Sequence, residues 1–580
     1  MAMGNPSQNT DSLPSRIASL VHSHFDGLPK RSKPVLRDDG TAEWIPMTGI
    51  VLVKAENTPE ETLTCVAVTT GAKCLPASQI PHCNGLVLHD CHAEILAMRA
   101  FNYWLISECR AVLEAEQQQQ QPSSPGDTKK ATPFIRRRQQ DGASDSTLPP
   151  FEIHPDVHIY MYCTCAPCGD ASMELVMAAQ DDATPWELPA TSDTLNTAFL
   201  SGRGHFSQLG IVRRKPARAD AESTKSKSCS DKIALRQVIS LLSFESSLLV
   251  AVTANAYIRA LVMPEEEVSR SGCERCFGGG EGGRLRGVRG RVWGASVDAA
   301  AASGDGEKDS DKGRYSYAFR PFEVLSIPDA QLKALWPFRK PRASDVVPDP
   351  DPDPVSALDP ASEDTGTAPT PKARKSKPGT ISAVWVRAPT SPPTATTDTQ
   401  SPKPSTTVSD NGTKTLPVLR GSKTGLFESI IGGVRQGHKA VFPGPGIRGA
   451  SALCRARMWE HWRGAVTATA TVSSVTPSAA DQDKGQEGDA TRLHSRSTGI
   501  DYALQASTYR EFKKEPKAEG LSSAVRARRQ AMSAAKDVLG GWVPNEGDEG
   551  WGWRWELGTL VDERGDPVEM DPKGSKKRKR

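Results

Sequence analysis

No stretch of this 580-residue chain approaches the roughly 18 to 20 apolar residues needed to cross a bilayer. The N-terminal run MAMGNPSQNTDSLPSR is polar and has no apolar core of the kind that makes a secretory leader. A reducing compartment, nucleus or cytoplasm, is therefore expected, with no membrane association. Charge of one sign is also missing: 72 Lys and Arg face 69 Asp and Glu, a net charge of +3. Such a balance cannot mark a nucleic-acid binder by itself, because that reading needs local basic patches. Cysteine is sparse, 12 in the whole chain, which excludes a small disulfide scaffold and leaves buried thiols or metal ligands. No internal repeat is visible. Length alone suggests two to four domains.

Against these absences stand several stretches too poor in apolar residues to build a core. They lie near 114–150 (a glutamine run, then Ser, Pro and Arg), 276–291 (Gly and Arg), 343–375 (with DPDPDPV), 388–413 and 472–494. Segments of this composition bury too little surface to offset the entropy of ordering, and they are expected to be loops or disordered insertions. Between them, strands and helices alternate. TGIVLVKA (48–55), ETLTCVAVTTG (61–71) and HPDVHIYMYCTC (154–165) have the β-branched content of strands. Ile95, Met98, Phe101 and Leu105 recur at helical spacing, and GDASMELVMAAQ (169–180) reads as a second helix. Alternation of this kind predicts a layered α/β domain.

The chemistry concentrates where strand-like runs meet helix starts. His92-Ala93-Glu94 opens the first helix, and Pro167-Cys168-Gly169 opens the second. A cysteine at a helix N-terminus has its thiolate stabilised by free N–H groups and the macrodipole. A catalytic zinc takes three protein ligands and leaves one position to water. A carboxylate outside that ligand set then shuttles the proton, and Glu94 fits the role. For the third ligand the residues leave two candidates: Cys165, which forms a CxxC pair with Cys168, and Cys229 in SCSDK. The pair Cys273 and Cys276 has no second pair at zinc-finger distance and reads as buried thiols.

With HAE, PCG and SCSDK in this order, the chain resembles the adenosine deaminases that act on RNA: the tRNA-specific enzymes and the double-stranded-RNA editors. The segments SLPSRIASLVHSHFDGLPKRSKPV (12–35), VAVTTGAKCL (66–75), HFSQLGIVRRKPARAD (205–220), SIIGGVRQG, SALCRARMW, TYREFK and LGGWV extend the likeness over residues 12–548, leaving 549–580 as a tail with a basic end. The resemblance implies a cytidine-deaminase-like layered α/β/α domain elaborated by a helical C-terminal half. It implies zinc on His92, Cys168 and Cys229, with Glu94 as proton shuttle, and places Lys73 beside the substrate nucleotide, although Ala72 stands where a threonine is usual. It further implies inositol hexakisphosphate inside the fold, held by Arg99, Lys232, Arg455, Tyr509, Lys513 and Trp542, with Arg526 or Arg528 beside them. Met98 and Leu235 depart from arginines in that cage, and Arg236 follows Leu235 at once.

With the resemblance starting near residue 12, no double-stranded-RNA-binding domain is expected before it, and SIIGGVRQG and IALRQVISLL look closer to the tRNA branch. That branch implies conversion of adenosine to inosine at position 37 of tRNA-Ala, with no obligate protein partner evident. An anticodon loop offers an unstacked base that is cheap to extrude. Of the basic runs, Arg213 to Lys215 are expected to grip phosphate, Arg136 to Arg138 to be solvated within an insertion, and the final KKRKR to be a nuclear signal or an RNA contact. Alternatives are editing of double-stranded RNA and a non-catalytic zinc scaffold. A cytidine deaminase would carry a second cysteine where Ala171 stands.

Overall fold

The computed structural model describes residues 12–35, 43–119, 132–138, 148–178, 200–201, 208–215, 222–294, 315–340, 377–390, 421–422, 424–440, 446–467, 499–513 and 522–568. The strands that matter for the site are β1 (Met47–Lys54), β2 (Thr62–Thr70), β3 (Ala72–Cys74), β4 (Asp90–His92), β5 (Val157–Cys163), β6 (Ile258–Pro264), β7 (Glu323–Ile327), β8 (Ser382–Arg387) and β9 (Gly425–Ile431). The helices are α1 (Leu13–Asp26), α2 (Ala93–Gln119), α3 (Met173–Ala178), α4 (Cys229–Ile239), α5 (Arg270–Phe277), α6 (Arg455–Thr467) and α7 (Ser523–Leu539).

One mixed sheet runs in the order β7-β6-β5-β1-β2-β8-β9 and ends on the short strand Gly421–Ser422. The β5–β6 and β6–β7 pairs are parallel, and the pairs from β5 across to β9 are antiparallel. Successive side chains of a strand point to opposite faces, and here both faces are covered. Ile50 and Leu52 of β1 join Ile159 and Met161 of β5 in a core with Leu96, Phe101 and Leu105 of α2. Val51, Val53, Tyr160 and Tyr162 face the other way, against Ile17, Val21 and Phe25 of α1 and Trp336. Burial on both sides explains why these strands read as nearly continuous apolar runs.

Three expectations change. The C-terminal half is mixed rather than helical, because β7, β8 and β9 extend the sheet beside helices α6 and α7. The stretch 276–291 is a fixed turn: Cys276, Leu285 and Val288 are buried, and their apolar side chains anchor the Gly- and Arg-rich chain between them. Past the boundary expected at 548, Trp551 and Trp553 are buried and Gly552–Arg554 pairs with Thr559–Val561. Within 114–150, α2 continues to Gln119, and Ile135–Arg137 pairs with Phe151–Ile153, so Arg136 to Arg138 lie on and beside a short strand. The calls on 343–375, 391–413, 472–494 and the final basic run fall outside the described residues.

Candidate metal centre

Three chain segments converge past one end of the central strands, where β2 finishes at Thr70 and β5 at Cys163. β3 and β4 form a small ladder with Ala72 opposite His92, which leaves His92 at the step into α2. The turn after β5 carries Cys168. Cys229 is the first residue of α4, whose N-cap Ser228 accepts from Asp231 N and donates to Asp231 Oδ2. His92 Nδ1 stands 3.7 Å from Cys168 Sγ and 3.5 Å from Cys229 Sγ, and the three groups are near enough to share one ion. A tetrahedral ion with sulfur at about 2.3 Å and nitrogen at about 2.0 Å places such donors about 3.6 Å apart. The separations suit that geometry. Cys165 is not brought into the group.

The two thiols share their ionisation. The hydrogen bond from Cys229, helped by Lys215 and His92 against burial, holds Cys168 well below the usual thiol range. Burial, then the neighbouring Cys168, pushes Cys229 up. Cys229 N also donates to Cys168 Sγ at 3.4 Å. Close approach of the two segments requires Gly169. Its φ is +112°, and a Cβ there would meet Ser228 Oγ at 2.2 Å.

Glu94, in the first turn of α2, is 3% exposed, and among the described residues its Oε2 has no partner. An unsatisfied buried carboxyl oxygen is costly. Burial, reinforced by Cys168, raises its pKa, while His92 and Lys215 pull it down. The group can therefore hold or release a proton beside the donor cluster. Lys73 is exposed on β3, at the rim formed by the β3–β4 ladder.

Behind the thiols lies a buried charge network. Lys215 Nζ donates to both oxygens of Asp90, at 3.1 and 2.9 Å, and to Cys229 Sγ at 3.3 Å. Lys232 Nζ and Ser226 Oγ also reach Asp90. Burial alone would raise Asp90, but Lys215 and Lys232 outweigh it and hold the carboxyl well below its usual range. Lys215 thus serves as an internal cation. Arg213 is buried too, donating to Gln208 O, so the phosphate grip expected of Arg213 to Lys215 is corrected: two of the three side chains are spent inside the fold. Sequence reading missed Asp90 and the role of Lys215. It also missed Asp170 and Asp231, both fully buried and each two residues beyond a cysteine of the cluster. Arg275 and Arg284 neutralise them. The shared spacing, Asp at two residues after Cys, was the available signal.

Lys232 also borders a cavity of about 640 Å³ lined by all six residues assigned to a polyanion cage, Arg99, Lys232, Arg455, Tyr509, Lys513 and Trp542. Arg528 lines it and Arg526 does not. Lys227, Arg236, Arg510, Arg529 and Lys536 join them, so ten cations face Glu245, Glu546 and Glu549. Burial depresses Lys227 to about 7 and Lys513 to about 8, although Glu245 partly restores Lys513. Cations destabilised in this way fit a cavity that takes an anion.

Residues 67–279 match the adenosine-deaminase (editase) domain. The chain is 35% identical over 310 residues to tRNA-specific adenosine deaminase 1 of Schizosaccharomyces pombe, an alignment covering 53% of this chain and 66% of that protein. With the protein of the same name from Saccharomyces cerevisiae it shares 31% over 238 residues, 40% of this chain and 54% of the relative. Double-stranded RNA-specific editase B2 of Mus musculus is 25% identical over 230 residues, 37% of this chain and 26% of the relative. The chain spans just under two thirds of the first of these proteins and about half of the second. By these matches, this chain carries an adenosine-deaminase (editase) domain related to those of the tRNA-specific and double-stranded-RNA enzymes.

Proposed function

We propose that the chain is a zinc-dependent hydrolase that converts adenosine to inosine in tRNA, at position 37 of tRNA-Ala. The observation that carries this reading is a His-Cys-Cys donor set at tetrahedral spacing, with a buried carboxyl beside it whose Oε2 has no partner among the described residues. His92, Cys168 and Cys229 would hold the ion. Bound zinc supplies Lewis acidity that lowers the pKa of a water to about 7. Glu94 accepts a proton from the attacking water at Oε2 and delivers it toward the purine, and adenosine plus water gives inosine plus ammonia. Its raised pKa suits a group that must carry that proton between donor and acceptor. Lys73 at the rim offers a cation to the phosphate of the flipped nucleotide. The cationic cavity holds inositol hexakisphosphate as a structural cofactor, away from the reacting atoms. The relatives named for tRNA support the choice of substrate, and nuclear or cytoplasmic location remains part of the same proposal.

The test is mass spectrometry of tRNA-Ala transcripts incubated with the zinc-loaded chain. Inosine at position 37 is expected. Glu94→Gln is expected to retain zinc and fold while losing inosine formation by about 100-fold or more, the scale of a lost acid–base group. Uridine as the only product, or undiminished activity in the variant, overturns the reading.

A further inference from the structure

We infer that Arg286, Arg289 and Arg291 form a phosphate-binding turn that grips RNA at a distance from the metal centre. This proposal rests on the reading of the chain as an enzyme of RNA. All three side chains are exposed, and among the described residues none has an ion-pair partner. Residues 282–297 contain no acid.

The turn is built, not loose. Leu285 and Val288 are fully buried, and Trp293 nearly so. Successive turns are closed by Arg286 N to Gly283 O, Arg289 N to Arg286 O and Arg291 N to Val288 O, each at 3.2 Å. Gly287 packs against α7 so closely that a Cβ would meet Val538 Cγ1 at 2.8 Å. Arg291 lies over the Trp293 ring, 5.2 Å from its centroid, which restrains its guanidinium. Apolar residues thus alternate with cations that, among the described residues, have no ion-pair partner. Like charges held together on a fixed frame repel, and a polyanion relieves that repulsion.

The root of the turn ties it to the active centre. Arg284 Nη1 donates to Asp231 Oδ1 at 2.7 Å, and Asp231 lies two residues beyond Cys229. Phosphate contacts fix the register and orientation of a nucleic acid without reading its sequence. A backbone seated on this turn would hold the tRNA body in a set position relative to the metal ligands. Such a grip replaces the one that buried Arg213 and Lys215 cannot supply.

The experiment is filter binding of a tRNA-Ala transcript to the full chain across a potassium chloride series. The triple variant R286Q/R289Q/R291Q is expected to bind more weakly, with unchanged zinc content. Its log Kd against log salt slope is expected to fall by roughly 2 to 3, about one unit per lost phosphate contact. An unchanged affinity and slope overturn the proposal. If the triple variant lacks a cooperative melt, Arg289→Gln alone is expected to lower the slope by roughly 1, and an unchanged slope overturns it equally. Inosine formation by the unaltered chain is scored separately. Normal deamination with unaltered binding in the variant sinks only the turn, whereas a reduced slope without inosine sinks only the deaminase reading.

Discussion

At the scale of single residues, the centre depends on a buried cation. Lys215 sits between the Asp90 carboxylate and Cys229 Sγ. Removing its ammonium leaves Asp90 with less compensation and Cys229 Sγ without its donor. Lys215→Met is therefore expected to weaken zinc retention against a chelator, and inosine formation, by about 10- to 100-fold, as outer partners of metal ligands commonly do. Retention and turnover equal to those of the unaltered chain would show that the lysine merely fills space. Of the three grouped side chains, His92 and Cys168 were legible in the residues as short motifs at a helix start or in the turn just before one, whereas Cys229 was set apart from Cys165 only by resemblance. Lys215 was legible only as a charge. Residue type announces a cation, but burial decides whether it meets a phosphate or an internal aspartate, and nothing in RRK reports burial.

At the scale of elements, strands β1, β2 and β5 were readable from β-branched runs, and α2 from its apolar period. The second helix was readable too, although it opens as a 3-10 turn over Asp170–Ser172 before α3. The turn at 276–291 was misread because glycine and arginine dominate its composition. The few buried residues among them, Leu285 and Val288, fix it through contacts distant in sequence. Gly169 illustrates how one position couples elements. Gly169→Ala places a methyl against Ser228 at the head of α4 and strains a positive φ, at a cost of about 1 to 3 kcal/mol. Zinc is expected to bind more weakly, because the turn bearing Cys168 must retreat from α4. Gly540→Ala is the control: φ is +65° there, yet nothing lies within 4 Å. It should lower the melting temperature and keep the metal. Equal zinc loss in both variants, measured by metal analysis after dialysis, would contradict the coupling.

At the scale of the whole molecule, the sheet carries two cores and the cationic cavity joins segments far apart in the chain. Arg99 on α2, Lys232 on α4, Arg455 on α6 and Arg528 on α7 all line it. Such a cavity was legible only through resemblance, since no local pattern brings these residues together. The packing of residues beyond 548 was not legible for the same reason: Trp551 stacks on Tyr509, 42 positions earlier, a contact that no window of sequence contains. An excess of cations over carboxylates facing one void opposes folding unless an anion neutralises it. Acid-denatured, desalted protein is expected to release about one inositol polyphosphate per chain, detected by anion-exchange chromatography. Finding no polyphosphate would leave the cavity without its assigned occupant.

The central claim is a single zinc ion on one imidazole and two thiolates. X-ray absorption at the zinc edge of the purified chain tests it directly. The expected spectrum has one zinc per chain, with two sulfur neighbours at about 2.3 Å and two nitrogen or oxygen neighbours at about 2.0 Å, one of them water. A chain that binds no zinc, or a first shell with three or four sulfurs, would contradict the assignment of His92, Cys168 and Cys229.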